Sequence, residues 1–471
     1  MKPETLLEAF GQVDDRYVRK IRRLAKRGPT WRVMMKKTTK LALSAAAVVL
    51  VLGFILTAWW LQSRYGVAPA QEGEEEPLRV CIDLGHNQVA GQSGPQFMET
   101  VRKQLSSVSG SQAFEIEIIP HGTQGDREAV LQRIRTEVMA GGGPDVFIVD
   151  CSEAFHATFG GEDEALFPFP ESAMQNAFFL PLDDSISTVG SSEWEKIPRV
   201  LMDAGRSQEG QLILPLAYTL PLTLFPATEQ PTVNSRRTWA EQLKDEKDCC
   251  RLAGIHVGGW YSGCFSSTFS CLADYQSGRL SFSESDLLDH LQRAVDLREE
   301  KKEVLAQDEH QLAEVYLSPN FTVGSGFPSD QFGWCPMYSS DGGVVATITS
   351  FAAINRNTRH AQQAFEVLDQ LLSKDLINYN LQTMGELLYT TRMPANMEAL
   401  NYYECLPEIV DTVQWARFHS PLDAALEELF HATWQEANAS GNGSVFMWTK
   451  EDYPRLVHDT YQKLQRLLDE S

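Results

Sequence analysis

Hydrophobic and polar positions along the chain change rhythm several times, and each rhythm predicts a different element. Near the N-terminus Leu6, Phe10, Val13, Tyr17, Ile21 and Leu24 recur at spacings of three and four, the pattern of an amphipathic helix, which Gly28-Pro29 ends. From Leu41 to Leu61 the chain reads LALSAAAVVLVLGFILTAWWL, twenty-one residues without a charge. At about 1.5 Å per residue that run is long enough for a bilayer core of about 30 Å, with Trp59 and Trp60 at the headgroup boundary. An acidic linker follows over residues 62–77, holding Glu72, Glu74, Glu75 and Glu76. Beyond it, LRVCIDL (78–84) reads as a strand. Phe97, Val101, Leu105 and Val108 have helical spacing, and FEIEIIP (114–120) alternates with period two. Asp126 is the expected N-cap of a helix that carries Val130, Leu131, Ile134 and Val138 on one face and closes at Gly141, and DVFIVD (145–150) is a third strand. Strand, helix, strand, helix, strand predicts an α/β fold with βαβ units and a largely parallel sheet. Toward the C-terminus, residues 421–437 and 450–469 show helical spacing and are expected to be packing helices.

Charge orients this arrangement. Residues 1–40 hold twelve Lys or Arg against four Asp or Glu, a net of +8, whereas the whole chain carries −22 and the remainder therefore −30. The positive-inside rule puts the basic tail in the cytoplasm and the acidic bulk outside a single-pass cell membrane protein. The tail's basic face, from Arg16 onward, suits the anionic inner leaflet; a partner-binding helix is the alternative. Ala68-Pro69-Ala70 resembles a small-residue cleavage site, so removal of the anchor after Ala70 is the alternative to permanent anchoring. The acidic surface excludes a nucleic-acid partner. All eight cysteines lie beyond the apolar run, at spacings that match no zinc pattern, so no metal is expected. Cys264 with Cys271 is the pair to test first as a disulfide, while Cys81 and Cys151 read equally as buried thiols. The chain contains no GxSxG, HExxH, Walker loop or GxGxxG after a strand, so it is read as no enzyme and as having no cofactor. Asp183-Asp184 after Pro181 reads as a solvated turn or helix start.

Several segments, in order, are similar to one family. VLQRIRTEVMAGGGPDVFIVD (130–150) resembles the helix, glycine turn and strand of the extracellular solute-binding proteins of ABC importers, the maltose-binding-protein-like class. LILPLAYTLPLTLF (212–225) is similar to that family's lobe-crossing strand and TWAEQLKD (238–245) to the helix start after it. YSSDGGVVATITSFAAIN (338–355) resembles the segment returning to the first lobe, and HAQQAFEVLDQLLSKDLINYN (360–380) the helix that follows. The tail, with LLEAFGQVDDRYV ahead of the apolar run, resembles leaders of membrane-anchored proteins of Gram-positive bacteria.

The resemblance implies a two-lobed, periplasmic-binding-protein-like α/β fold with a hinge, preceded by one transmembrane helix. The expected solute-binding domain is 78–471, with lobe I at about 78–216 and 337–392 and lobe II at about 217–336 and 393–471. A small solute, with sugar favoured, would be held between the lobes and passed to ABC permease subunits; the alternative is a tethered sensor or adaptor that signals through the tail. Ligands of such sheets lie beyond the carboxyl ends of the strands, which nominates Gly85, His86 and Asn87 after the first strand and Asp150, Cys151 and Ser152 after the third. Matching of the segments adds Tyr218 and Thr219 on the crossing strand, with Trp260 and Tyr261 of the Gly-rich run GGWYSG and Trp334 and Tyr338 before the return strand as aromatic candidates. Aromatic faces suit sugar C–H patches, while carboxylates and amides accept hydroxyl hydrogen bonds.

Overall fold

A computed structural model describes residues 76–83, 114–120, 124–151, 165–226, 236–245, 265–307, 332–372, 393–394, 412–433 and 450–471. The chain divides into two units, 1–75 and 76–471, and every described residue lies in the second. The amphipathic tail, the apolar run 41–61 and the helix expected around 97–108 therefore lie outside the described residues. Among the described residues no helix is long and apolar enough to cross a membrane.

The strands in chain order are β1 (Leu78–Asp83), β2 (Phe114–Ile118), β3 (Val146–Asp150), β4 (Arg206–Ser207), β5 (Gly210–Gln211), β6 (Ile213–Thr219), β7 (Leu222–Pro226), β8 (Ala273–Asp274), β9 (Arg279–Leu280), β10 (Phe332–Pro336), β11 (Val344–Ile354), β12 (Met393–Pro394) and β13 (Val413–Phe418). The helices are α1 (Gln124–Met139), α2 (Pro170–Gln175), α3 (Asp183–Val189), α4 (Arg199–Ala204), α5 (Trp239–Gln242), α6 (Glu284–Gln307), α7 (Ala361–Leu371), α8 (Pro421–Ala432) and α9 (Tyr453–Asp469). A seven-stranded sheet runs β12-β6-β11-β3-β1-β2, with β13 also paired to β11. The stretch β2-β1-β3 is parallel, as the βαβ pattern predicts. β11 then enters antiparallel to both β3 and β6, which makes the sheet mixed. All eleven residues of β11 are buried, because both faces of this central strand are covered and a polar alternation has no place there.

α1 returns the chain from β2 to β3 and buries Leu131, Ile134 and Val138 against the sheet. It begins two residues before the expected cap, so Asp126 lies in the first turn rather than at the N-cap. A carboxylate is favoured at either place by the helix dipole, so residue type alone does not separate them. Gly141 and Gly143 have φ of 82° and 93°, the left-handed backbone that turns α1 into β3. Asn355, just past β11, fastens this turn: its side-chain amide donates to the carbonyls of Gly142 and Pro144 at 2.7 and 2.8 Å. Asp183 opens α3 as a helix start, and its carboxylate accepts from the Gln211 amide at 2.6 Å and from Arg206 at 2.9 Å.

Two hydrophobic cores form. The first wraps the large sheet, with Phe147, Phe179, Tyr218, Phe351, Phe365 and Phe418 among its buried side chains. The second gathers Trp239, Phe265, Phe269, Leu287, Leu291, Leu426, Phe430 and Leu464, and includes the C-terminal helices α8 and α9. The chain leaves the sheet at β6, pairs β7 with β10 in a small antiparallel sheet, and comes back as β11. β12 and β13, which fall in the expected second-lobe range 393–471, add to the sheet of the first core instead. The reason is pairing: β13 lies parallel to β11 and buries Phe418 among its neighbours. Cys81 is a buried free thiol and Cys271 a free, exposed one; Cys264, expected as the partner of Cys271, lies outside the described residues.

Candidate functional site

Two strands end head to head on one edge of β11. β3 runs antiparallel to β11 and its last residue, Asp150, sits opposite Ser350. β13 runs parallel to β11 along the same edge, and its last residue, Phe418, sits opposite Ile348. Their carboxyl ends therefore meet over residues 348–350. The Cys151 amide donates to the Thr349 carbonyl at 2.7 Å, the His419 amide donates to Ile348 at 2.8 Å, and a ring nitrogen of His419 (Nδ1) lies 2.8 Å from the Cys151 carbonyl oxygen. On the opposite edge of β11, Tyr218 pairs with Ile348 and Thr219 with Thr347. Asp150, Cys151, Tyr218 and Thr219 are thus brought to one region of the sheet, the place where open α/β sheets offer strand ends and loops to ligands.

Not all of these side chains are open to a solute. The Cys151 thiol is buried and donates to the carbonyls of Ile348 and Thr349 at 3.5 and 3.2 Å. Tyr218 and Tyr338 are each 1 % exposed and belong to the first core. The Tyr218 hydroxyl is shielded and has no hydrogen-bond partner, and burial alone pushes its phenol well above the usual tyrosine range. The Tyr338 amide donates to the Gln242 side-chain oxygen at 3.1 Å, which ties the start of the returning segment to α5. Trp334 lies on β10 opposite Leu224, away from the large sheet's pairing. Gly85, His86, Asn87, Ser152, Trp260 and Tyr261 lie outside the described residues. Among the described residues, no three His, Cys, Asp or Glu side chains form a group that could hold a metal ion.

Two further features border the region. Asp83, the last residue of β1, meets Arg127 in a bidentate pair, and its carboxylate also accepts from the Leu166 amide at 2.9 Å. His419 and Arg417 come from β13, whose mixed composition VQWARF hides it from a periodicity reading. The signal that could have located them follows directly: Ser420-Pro421-Leu422-Asp423 forms a capping box with Pro at N1, which fixes where β13 must end.

No protein-family model matches the chain, and no curated protein does. Solved structures do resemble it. An extracellular solute-binding protein family 1 from Alicyclobacillus acidocaldarius is similar at 13 % identity and a TM-score of 0.49, covering 84 % of this chain and 100 % of that one. The sugar-binding protein MalE of Xanthomonas citri is similar at 11 % identity and a TM-score of 0.49, covering 83 % and 98 %. A de novo designed cysteine esterase is similar at 12 % identity and a TM-score of 0.49, covering 85 % and 99 %.

Proposed function

We propose that this chain is an extracytoplasmic solute-binding protein, tethered through residues 41–61, that captures a small solute, a sugar or oligosaccharide, where the strand ends meet and delivers it to an ABC permease. The observation that carries this reading is the path of the chain between its two cores. The segment 212–225 forms β6 and β7, leaving the large sheet; the segment 338–355 contains β11, which returns between β3 and β6. Two cores joined by paired crossing strands are what a closing fold needs. A solute that touches both sides only in the closed form favours that form by its differential affinity. The second reading, a tethered sensor, draws on the basic amphipathic tail of residues 1–40.

The test is a thermal-shift panel on the full chain in detergent, covering mono-, di- and oligosaccharides and short peptides. A ligand that binds only the folded state and is present at 100 times its Kd adds about 2.7 kcal/mol of stability. At least one sugar is expected to raise the Tm reproducibly. A peptide-only response would reject the sugar class, and no response to any solute would reject both transport and sensing.

A further inference from the structure

Where the two cores meet, three carboxyl groups gather, centred on Asp423, and one guanidinium, that of Arg417, lies among them. Arg417 and Phe418 come from β13, which joins the first core's sheet; Asp423 and Glu427 come from α8 of the second core, and Glu171 opens α2. The Arg417 guanidinium donates to Asp423 at 2.6 Å and to the Ser266 carbonyl at 3.2 Å. Glu171 accepts from the Phe418 amide at 3.3 Å, and Glu427 accepts from the Ser266 amide at 2.8 Å. Asp423 also caps α8 through the Ser420 amide and hydroxyl. The Tyr275 hydroxyl, bonded to Ser420, faces Glu171 and Asp423, and His419 faces Asp423. One oxygen each of Glu171 and Glu427, and the Arg417 Nε, are shielded from solvent and have no partner.

One guanidinium cannot neutralise three carboxylates. Burial is the largest single influence on Asp423 and disfavours its charge, but Arg417, His419 and the hydrogen bonds from Arg417 and Ser266 together outweigh it and hold this carboxyl below the usual range. Burial dominates at the other two: it raises Glu171 to about 7 and Glu427 to about 8, against the backbone amides that favour their charged forms.

We propose that this cluster is a proton-operated clamp across the junction of the two cores, closed while Glu171 and Glu427 carry protons and loosened when they give them up. An ionised Glu171 or Glu427, each half-buried with one oxygen shielded from solvent, adds a second negative charge beside Asp423, and parting the junction relieves it. A carboxyl raised in the folded state contributes stability that is fully present below its unfolded value of about 4.5 and is lost as pH climbs through its folded value, here 7 to 8. The clamp stands independently of the solute-binding reading.

The experiment compares the full chain with Glu171→Gln, Glu427→Gln and the double variant between pH 5 and 9. A glutamine keeps the oxygen that accepts from Phe418 or Ser266 and has no proton to lose. In the wild type, corrected hydrogen-exchange protection of the Phe418 and Ser266 amides is expected to fall between pH 5 and about 7 by about tenfold per pH unit for each group that keeps its proton only while the junction is closed, and to level off above pH 8. The Tm is expected to fall with it. In the double variant both profiles are expected to be flat. Wild type and double variant falling in parallel would overturn the proposal. Should the variants not fold, the infrared C=O band of protonated carboxyl groups in the wild type decides: it must be present at pH 6 and vanish by pH 9, and its absence at pH 6 overturns the clamp.

Discussion

Arg127→Met is expected to cost the fold about 3–5 kcal/mol, read as a lower denaturation midpoint at unchanged slope. Arg127 and Asp83 have side chains only 3 % and 0 % exposed, and two parallel bonds of 2.9 and 3.1 Å join them. Such a pair contributes little net energy, because desolvation of both ions offsets their attraction; its removal by halves is what costs. Without Arg127 the Asp83 charge stays buried at the end of β1 and loses its bidentate cation. The double variant Asp83→Asn with Arg127→Met is expected to recover much of the loss, since asparagine still accepts from Leu166 and leaves no charge stranded. A single-variant loss below about 1 kcal/mol would mean that water reaches the pair.

Phe147→Ala is expected to cost a similar amount, about 3–5 kcal/mol, through the cavity it leaves. Phe147 is fully buried on β3 and starts a chain of rings through the first core. It meets Phe167 edge-on at 5.1 Å and Phe179 at 6.3 Å, Phe179 meets Phe351 at 6.4 Å, and Phe351 meets Phe418 at 5.6 Å. That chain spans β3, β11 and β13, and the cavity would lie at its β3 end, near the start of that strand. Val189→Ala, at a position 55 % exposed, is the control and is expected to change stability by less than about 0.5 kcal/mol. Urea unfolding of the three proteins checks both figures. A Phe147→Ala cost close to the control's would show that this core is not packed as described.

What the sequence made legible depended on where physics leaves a local trace. β1, β2, α1 and β3 announce themselves because each has one periodicity and a clear end, such as the glycines of 141–143. The returning strand β11 is buried on both faces and has no period of its own, so only its resemblance to a known segment located it. β13 escaped because Gln414, Trp415 and Arg417 break any alternation; the partners that permit a buried arginine there, Asp423 and the Ser266 carbonyl, come from other elements. Its pairing with β11 is also why the expected break between 392 and 393 does not follow the sheet. The neighbourhood of the candidate residues is legible in part for the same reason. Strand ends can be named from sequence, and Asp150, Cys151, Tyr218 and Thr219 do share one region. Whether a ring faces a solute or the core is set by packing, and Tyr218 and Tyr338 lie in the core.

The central claim is solute capture at the meeting strand ends, and Asp150, which closes β3 there, is its most direct probe. The decisive measurement is a calorimetric titration of the full chain and of Asp150→Asn with the solute that gives the largest thermal shift. Saturable binding at one site per chain is predicted, weakened at least about tenfold in Asp150→Asn, a loss of about 1.4 kcal/mol. Equal affinity in the two proteins would contradict the placement of the site, and no saturable binding by the wild type would contradict solute capture itself.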